Sequence, residues 1–391
     1  MKNISEIKDC YGCGVCATIC PKNIISISLN ADGFYQPEVF DEDKCIDCGL
    51  CLNVCAFYNE GLALQETSIR SYAAWSNEPA VRRKCASGGA GFEIGHTLIN
   101  KGYKVCGVKY NAEKQRAEHF IATTVEELVQ TAGSKYIQSY TLDGFKAINR
   151  RDKYLVTGTP CQIDSFRRLI QKWRVEDNFV LLDFFCHGVP SMLMWKKYTQ
   201  SVEKITGPIT YASWRNKLTG WHDSWAMAID GEAKGEKVNW HDSYNMLIRE
   251  KKNYYNSRRS QGDLFYKFFL GNICLGKACY KHCKYKYNHS SADIRIGDLW
   301  GSAYEKNEDG VSAAIALTEK GNDVLKQTNC SLIKHPFEVV AEGQMKEKVV
   351  KPAIFPVVSY ALKTSVPLDG IIFKMILFTN RVLNKLSRMF S

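Results

Sequence analysis

The sequence lacks the features that would mark it as disordered, secreted or membrane-spanning. It has no low-complexity tract, and 45% hydrophobic with 24% charged residues is the composition of a folded globular protein. Its first ten residues, MKNISEIKDC, are polar, without the apolar stretch of about 7–15 residues that a secretory signal contains. No uninterrupted apolar run approaches the roughly 20 residues of a transmembrane helix. The sequence therefore predicts a globular, cytoplasmic protein.

Signatures for nucleic-acid recognition are also missing. The formal net charge is +11, and residues 1–60 hold four lysines against nine acids, a net charge of −5, so the remainder carries +16. A basic body of this kind could attract nucleic acid, a membrane surface or an anionic cofactor. Because no helix-turn-helix, zinc-finger or RNA-recognition pattern is present, we expect no nucleic-acid partner.

Cysteine, by contrast, is abundant. Sixteen cysteines in a chain without an export signal favour metal-binding thiols over a disulfide framework. Two runs with the same spacing, CYGCGVCATIC from residue 10 and CIDCGLCLNVC from residue 45, hold eight of them. In bacterial ferredoxins this spacing binds two 4Fe–4S clusters, and the fourth cysteine of each run ligates the cluster of the other. The rule predicts two ligand sets, the first being Cys10, Cys13, Cys16 and Cys55, and the second Cys45, Cys48, Cys51 and Cys20.

Zinc is the alternative for these cysteines, because CxxC pairs also bind zinc. Zinc modules usually show two separated pairs, so two identical four-cysteine runs favour iron–sulfur clusters. Between the runs, IISISL, NADG and FYQPEVF predict a strand, a turn and a strand that set the cysteine loops side by side. One departure from the ferredoxin motif is Ala56, which follows Cys55 where proline is usual. We predict a dicluster ferredoxin-like domain over residues 1–62.

The body of the chain shows apolar strands that alternate with helices. Residues 153–170 and 179–198 each predict a strand, a turn and a helix, with Cys161 and Cys186 in the turns. This pattern predicts an α/β sheet, and such sheets bind cofactors at the carboxyl ends of their strands. Three more cysteines lie within ten residues of one another: Cys274, Cys279 and Cys283. Zinc is again the alternative for these three, unless further cysteines join them.

Five short motifs follow one another along the body: ASGG, GSKY, TGTPCQ, FCHG and ADIRIGDLWG. Their combination, from about residue 70 to 340, resembles the coenzyme F-420 hydrogenase/dehydrogenase beta subunit family. The resemblance implies an FAD-dependent oxidoreductase with a third 4Fe–4S cluster beside the flavin. We place this mixed α/β flavin- and iron–sulfur-binding domain at residues 63–360, which makes the whole chain α+β and α/β. The cluster ligands that the resemblance implies are Cys161, Cys186, Cys279 and Cys283.

One of these ligands departs from the family pattern. Three residues separate Cys279 from Cys283, where two are usual, and Cys274 is the alternative ligand. The flavin contacts that the resemblance implies lie in two loops: Ser87, Gly88, Gly89, Ser134, Lys135 and Tyr136.

Two residues are candidates for chemistry at the flavin. Lys135 could stabilise the anionic reduced flavin, and a solvated surface lysine is the alternative. His187 could donate a proton to the reduced product, and a hydrogen bond beside the cluster is the alternative. Asp293 and Asp298 could contact flavin hydroxyls or basic neighbours, with loop capping as the alternative.

Two main hypotheses for the function follow. In the first, a ferredoxin-like donor supplies electrons through the clusters to FAD and on to an organic substrate. Similar bacterial proteins accompany surface-polysaccharide synthesis, so the expected substrate is a small-molecule or carrier-linked sugar. In the second, the chain is an electron-transfer subunit that feeds a separate hydrogenase or dehydrogenase and uses a deazaflavin coenzyme. The fused ferredoxin domain favours the first hypothesis, and an iron–sulfur sensor or scaffold without turnover is a third alternative.

Residues 361–391 predict a basic amphipathic helix. Its basic residues fall along one helical face, with apolar residues on the other side: Lys374, Arg381, Lys385 and Arg388. Such a helix can lie on an anionic membrane, which would place the protein peripherally on the inner face of that membrane. It can also dock onto the protein's own body.

Overall fold

The computed structural model describes residues 2–63, 70–231 and 254–389. Its N-terminal unit contains two α-helices and two strands, α1 (Val15–Ile19), β1 (Ile25–Leu29), β2 (Tyr35–Val39) and α2 (Leu50–Asn53), together with two short 3-10 helices. The two strands pair as an antiparallel hairpin, as the sequence between the cysteine runs predicts. Each α-helix follows a glycine with positive φ, Gly14 at 72° and Gly49 at 66°. This left-handed turn lets the chain curl between the second and third cysteines of each run.

The body contains two β-sheets in the described part of the chain. The remaining strands are β3 (Arg70–Ser76), β4 (Lys104–Asn111), β5 (Arg116–Ala122), β6 (Ser139–Tyr140), β7 (Tyr154–Thr157), β8 (Phe179–Phe184), β9 (Ile209–Ser213), β10 (Ala226–Gly231), β11 (Tyr254–Arg258), β12 (Ile294–Asp298), β13 (Ser312–Ala316) and β14 (Cys330–His335). Nine of them form a sheet in the order β14-β3-β13-β12-β8-β7-β4-β5-β6, and β11-β10-β9 form a second, antiparallel sheet. Within the large sheet, β12, β8, β7 and β4 run parallel to one another. The large sheet is therefore mixed, as the predicted fold class requires.

Helices cover both faces of the large sheet. The helices of the body are α3 (Pro79–Lys84), α4 (Ala90–Asn100), α5 (Val125–Leu128), α6 (Leu142–Lys146), α7 (Pro160–Trp173), α8 (Met192–Thr206), α9 (Leu264–Phe269), α10 (Lys277–Lys281), α11 (Glu319–Lys326), α12 (Phe337–Val340), α13 (Phe355–Lys363) and α14 (Ile371–Met389). Leu155 on β7 belongs to the apolar cluster that includes α4, whereas its neighbour Val156 belongs to the cluster that includes α7. Successive strand residues point to opposite faces, so the sheet is the middle layer. In the described ranges, no helix combines the length and apolar character that a membrane span needs.

The N-terminal unit is bonded to the body at several points. The amide of Tyr35 donates to the side-chain carbonyl of Gln138 at 2.8 Å, and the amide of Ala56 donates to the Ser165 hydroxyl at 3.0 Å. Asp32, in the hairpin turn, forms ion pairs with two lysines of the body: Lys277 at 3.0 Å and Lys363 at 2.6 Å. These contacts hold the cysteine-rich unit against the carboxyl ends of the parallel strands. The predicted boundaries at residues 62 and 360 stay predictions.

Candidate metal centres and neighbouring cofactor loops

The cysteines of the two N-terminal runs surround two separate cavities. The first cavity is lined by the first predicted ligand set: Cys10, Cys13, Cys16 and Cys55. The second is lined by the other set: Cys20, Cys45, Cys48 and Cys51. Each cavity thus takes three cysteines from one run and the fourth from the other, because α1 and α2 pack together. The structure groups the thiols as the ferredoxin rule does, and ligation itself stays a prediction.

A third cavity lies between the N-terminal unit and the body. Four cysteines of the body line it: Cys161, Cys186, Cys279 and Cys283. Cys161 is the second residue of α7, the helix after β7, rather than part of the predicted turn, and Cys186 follows β8. Because β7 and β8 are parallel neighbours, both residues reach the same edge of the sheet. Cys279 and Cys283 come from α10 and the loop after it.

Cys274 lies apart from this group. It is buried in the apolar cluster of α8 and α9, and its carbonyl accepts a hydrogen bond from the amide of Ser191 at 2.9 Å. Cys279, by contrast, lines the cavity, with its sulfur 3.7 Å from the position that a Cβ on Gly188 would take. The geometry therefore favours Cys279 as the fourth thiol, despite its unusual spacing.

The thiols around the cavities suit a cationic metal cluster. Burial, with a contribution from neighbouring thiols, raises the pKa of Cys10 to about 12, of Cys55 to about 11 and of Cys279 to about 12. Without positive charge between them these groups would stay protonated, whereas coordination to a metal deprotonates a thiol. Within residues 2–63, 70–231 and 254–389, no three or more His, Cys, Asp or Glu side chains converge on one point to hold a single metal ion. The cysteines surround cavities instead.

Tyr11 connects the first cavity with the third. Both Tyr11 and Cys10 line the two cavities, so only a thin wall separates the first and third cysteine groups. The Tyr11 hydroxyl donates to the carbonyl of His282, and its ring makes edge contacts with Phe57 and Tyr285. Sequence reasoning missed Tyr11, because its position inside a CxxC turn gives no sign of the distant segment that it contacts.

His187 lies beside the third cysteine group but turns away from the cavity. Its Nε2 is 2.6 Å from the side-chain oxygen of Asn272, and its ring makes an edge contact with Phe269 at 4.9 Å. Burial lowers the pKa of His187, which favours a neutral ring at neutral pH. A role as proton donor stays a prediction, and the observed contact fits a positioning role better.

The two loops assigned to flavin contacts pack against the same buried ion pair. Arg215 forms two hydrogen bonds with Asp298, at 2.9 and 3.1 Å. The same guanidinium donates to the hydroxyl of Tyr136 at 3.1 Å and to the carbonyl of Ala86, the residue before Ser87, at 3.3 Å. The structure therefore brings the two loops together. Of the contacts predicted for Asp298, it shows the one with a basic neighbour, which is Arg215.

Polar groups in both loops are bonded within the protein. The Ser87 hydroxyl donates to the carbonyl of Val311 at 2.7 Å, and Gly88 has no room for a Cβ, which would lie 2.3 Å from the carbonyl oxygen of Ala74. Gly89, with φ of 93°, precedes α4, and Ser134 precedes the lysine of its own loop.

Lys135 is the most constrained of these residues. Its ammonium group donates to four consecutive backbone carbonyls, from Gln130 to Gly133, at 2.8–3.1 Å. Burial lowers the pKa of Lys135 to about 7. The alternative of a solvated surface lysine is therefore wrong, and a role in tuning a flavin stays a prediction.

Aromatic rings connect the third cysteine group with these loops. The ring of Phe269 contacts His187 at 4.9 Å and stacks on Tyr136 at 5.2 Å, and Tyr136 in turn stacks on Trp225 at 5.1 Å. His187 directly follows Cys186, so a short path of ring contacts runs from the cysteines to the loop of Ser134 and Lys135. Sequence reasoning did not find this path, because Phe269 and Trp225 carry no motif.

Family models match most of the chain. The model for the coenzyme F420 hydrogenase/dehydrogenase beta subunit N-terminus matches residues 71–145, the model for the C terminus matches residues 151–334, and a 4Fe–4S dicluster domain matches residues 9–59. The chain is also 35% identical over 239 residues to the coenzyme F420 hydrogenase subunit beta of Methanococcus voltae, an alignment that covers 58% of this chain and 72% of that protein. The chain belongs to the coenzyme F420 hydrogenase/dehydrogenase beta subunit family.

Two further relatives are more distant. The coenzyme F420-dependent sulfite reductase of Methanocaldococcus jannaschii is 26% identical over 330 residues, which cover 82% of this chain and 46% of that enzyme. This chain therefore spans less than half the length of that relative. A chain of the F420-reducing [NiFe] hydrogenase complex from Methanosarcina barkeri shares 15% identity, with 85% of this chain and 96% of that chain covered. Its TM-score of 0.45 is too low to add to the sequence match.

Membership of the F420 beta subunit family confirms part of the sequence-based interpretation. It establishes an iron–sulfur oxidoreductase family member with an N-terminal 4Fe–4S ferredoxin-like domain. Both curated relatives act with coenzyme F420, a deazaflavin, and neither name mentions FAD or a polysaccharide. The matches therefore favour the second hypothesis, the electron-transfer subunit, over a FAD-dependent enzyme of polysaccharide synthesis.

One buried lysine at the third cavity was missed by sequence reasoning. The ammonium group of Lys286 donates to the backbone carbonyls of Cys186 and His187, the latter at 3.0 Å. Burial raises the pKa of Cys186, and the charge of Lys286 opposes that rise. The segment CKYKYNHS shows several basic residues, but its spacing alone does not indicate which lysine turns inward.

If the third cavity holds the predicted 4Fe–4S cluster, we expect Lys286→Met to lower the reduction potential of that cluster by roughly 50–100 mV, because a buried positive charge stabilises the added electron. Potentiometric titration followed by electron paramagnetic resonance measures this potential. Lys286→Arg keeps the charge and is expected to restore most of the shift. Lys284→Met is the matched control, since Lys284 donates to the carbonyls of Ala56 and Asn59 instead. An unchanged potential in Lys286→Met would contradict the role of this charge.

Proposed function

We propose that this chain transfers electrons between a deazaflavin coenzyme of the F420 type and a separate redox protein, through three 4Fe–4S clusters. The observation that carries the proposal is the arrangement of the three cysteine-lined cavities in series. The second cavity adjoins the first, because α1 and the turn after it carry Cys16 and Cys20, one for each. The first adjoins the third through Cys10 and Tyr11.

The second cysteine group is the proposed contact point for the redox partner. Cys48 is exposed, whereas the cysteines of the third group lie under the N-terminal unit. Residues 1–60 carry a net charge of −5, which suits a partner with a basic docking surface. The partner could be a ferredoxin-like donor or the catalytic subunit of a hydrogenase or dehydrogenase, because both present one electron at a time.

The loops at Ser87–Gly89 and Ser134–Tyr136 are the proposed site of exchange with the coenzyme. Iron–sulfur clusters carry single electrons and a deazaflavin gives up two as a hydride, so a bound flavin such as FAD would supply both kinds of transfer there. The chain's own groups suit a planar ligand: the Arg215–Asp298 pair fixes the two loops beside each other, and Tyr136 and Trp225 bring stacked rings. The path of rings through Phe269 connects this site with Cys186 and its neighbours.

Anaerobic purification with measurement of iron, sulfide and flavin tests the proposal. We expect about twelve iron atoms per chain for three cubane clusters. We also expect reduced F420 to bleach the visible absorbance of the clusters without any other subunit, and NADH, an unrelated hydride donor, to leave it unchanged. A colourless protein that holds zinc would overturn the proposal, and so would an iron-loaded protein that does not react with reduced F420.

A self-contained reductase is the competing function. The dicluster domain at residues 9–59 favours it, because a fused ferredoxin domain supplies its own electron input. In that case the iron-loaded protein is expected to bind FAD, not to react with reduced F420, and to reduce an organic substrate such as a carrier-linked sugar. Iron without any bound flavin and without turnover would instead indicate a sensor or scaffold. The same purified sample therefore separates the three functions.

A further inference from the structure

The C-terminal helix α14 packs against the body with only one of its faces. Phe373, Ile376 and Asn380 are buried, and the ring of Phe373 makes an edge contact with Phe268 of α9 at 5.6 Å. These residues are spaced three and four apart, so they form one helical stripe. Docking onto the protein's own body, one of the two alternatives predicted for this helix, therefore applies to this stripe only. The rest of the helix is not covered by the body.

A second apolar stripe of α14 faces away from the body. Four residues spaced four, three and four apart form this outward stripe, and they keep 73%, 62%, 68% and 41% of their surface exposed: Ile371, Met375, Phe378 and Val382. Solvent-exposed apolar side chains scattered singly are ordinary, but a continuous row of large ones indicates a binding surface. The neighbouring helix α13, which contacts α14, exposes two more large side chains, Val357 and Tyr360.

Basic side chains run beside the outward stripe. Lys374, Arg381 and Lys385 are exposed, and their positions on the helix lie along one edge of the stripe. Over residues 348–391 the sequence has seven Lys and Arg against one acid, Asp369. The surface therefore combines a row of large apolar groups with charge of a single sign.

We propose that the outward stripe of α14 binds the surface of an anionic lipid bilayer. A helix that lies in the plane of the interface buries its apolar side among the acyl chains and places its cations at the level of the lipid phosphates. Lys and Arg can do this because their long aliphatic stems lie along the apolar surface while the charged ends stay in water. The protein would then be a peripheral membrane protein.

The charge pattern argues against a second copy of the chain as the occupant. In a symmetric dimer the stripe would face itself, and the partner would bring a second row of the same three cations to the interface. No acidic residue between 370 and 389 is available to neutralise them. Anionic lipid headgroups, in contrast, supply the opposite charge at every position along the helix.

Vesicle sedimentation tests the proposal with the full-length, cluster-loaded protein. We expect binding to vesicles of phosphatidylcholine mixed with phosphatidylglycerol, little binding to phosphatidylcholine alone, and weaker binding as salt increases. The double variant Met375→Ser/Phe378→Ser is expected to lower the partition coefficient by about tenfold or more. Replacing Lys374, Arg381 and Lys385 by serine is expected to lower it by about a hundredfold, because each cation near an anionic surface contributes roughly fivefold.

Phe40→Ser is the matched control, because Phe40 is a phenylalanine of similar exposure, 63%, in the N-terminal unit. It is expected to bind vesicles as the wild type does. All substituted side chains are exposed, so iron content and thermal melting are expected to stay unchanged. Equal binding by wild type and stripe variants, or no binding to anionic vesicles, would overturn the proposal. A wild-type dimer in light scattering that the stripe variant abolishes, without vesicle binding, would assign the stripe to a second copy instead.

Discussion

Cys279→Ala is expected to remove the cluster at the third cavity and to lower the iron content from about twelve to about eight atoms per chain. The reason is geometric, because Cys279 lines this cavity with Cys161, Cys186 and Cys283 and the carbon of alanine cannot replace a thiolate ligand. Iron and sulfide analysis gives the stoichiometry, and electron paramagnetic resonance of the reduced protein shows which signal is lost. The two N-terminal signals are expected to remain, since their cysteines line other cavities.

Cys274→Ala is the control for this experiment. Cys274 is also buried and lies five residues earlier, but it packs among apolar side chains and does not line the cavity. We expect all three clusters to remain and the free energy of unfolding to fall by about 1 kcal/mol, the cost of a small core truncation. If Cys274→Ala loses the third cluster and Cys279→Ala keeps it, the assignment of the fourth ligand is reversed.

These two cysteines show where sequence reasoning ends. The N-terminal cysteines repeat a spacing that is rare outside dicluster ferredoxins, so the pattern alone groups Cys20 and Cys55 with the opposite run, and the cavities show the same grouping. Cys274 and Cys279 share a segment with no such repeat. Their difference depends on α10, which turns one thiol toward the sheet edge and leaves the other in the core.

The buried polar contacts are harder to predict from the sequence than the positions of the cysteines. The edge of the parallel strands was predictable, because apolar strands end shortly before Cys161 and Cys186. The Arg215–Asp298 pair was not, since 83 residues separate its members and neither stands in a motif that pairs them. Lys135 illustrates the same limit. Its motif marks it as a residue of interest, but only the structure shows its ammonium group bonded to four carbonyls of its own loop.

For the C-terminal helix, too, one feature can be predicted from the sequence and another cannot. Its basic row is visible in the sequence, because the spacing of Lys374, Arg381 and Lys385 follows the helical period. Which apolar residues face the body is not, because Phe373 and Phe378 are equivalent in the sequence and differ only in what packs against them. The structure shows Phe373 buried and Phe378 exposed, so one helix serves two surfaces.

Cys55→Ala is expected to have the largest effect on electron transfer. Cys55 lines the first cavity, which lies between the other two and shares Cys10 and Tyr11 with the third. Loss of the cluster there would interrupt the chain at its middle, and transfer between the partner protein and F420 is expected to fall by about a hundredfold or more. Iron content is expected to fall to about eight atoms, the composition of two remaining cubane clusters.

Partial reactions distinguish an interrupted chain from a misfolded protein. In Cys55→Ala, reduced F420 is still expected to bleach the cluster at the third cavity, because Cys161, Cys186, Cys279 and Cys283 are unchanged. Cys20→Ala is the companion variant, since it removes a ligand of the second cavity and leaves the first complete. There, reduced F420 is expected to reach two clusters, whereas in Cys55→Ala it reaches one. Equal bleaching in the two variants would contradict the serial order. In a linear chain of clusters, loss of the middle cluster stops the electrons from the coenzyme one cluster earlier than loss of the end cluster does.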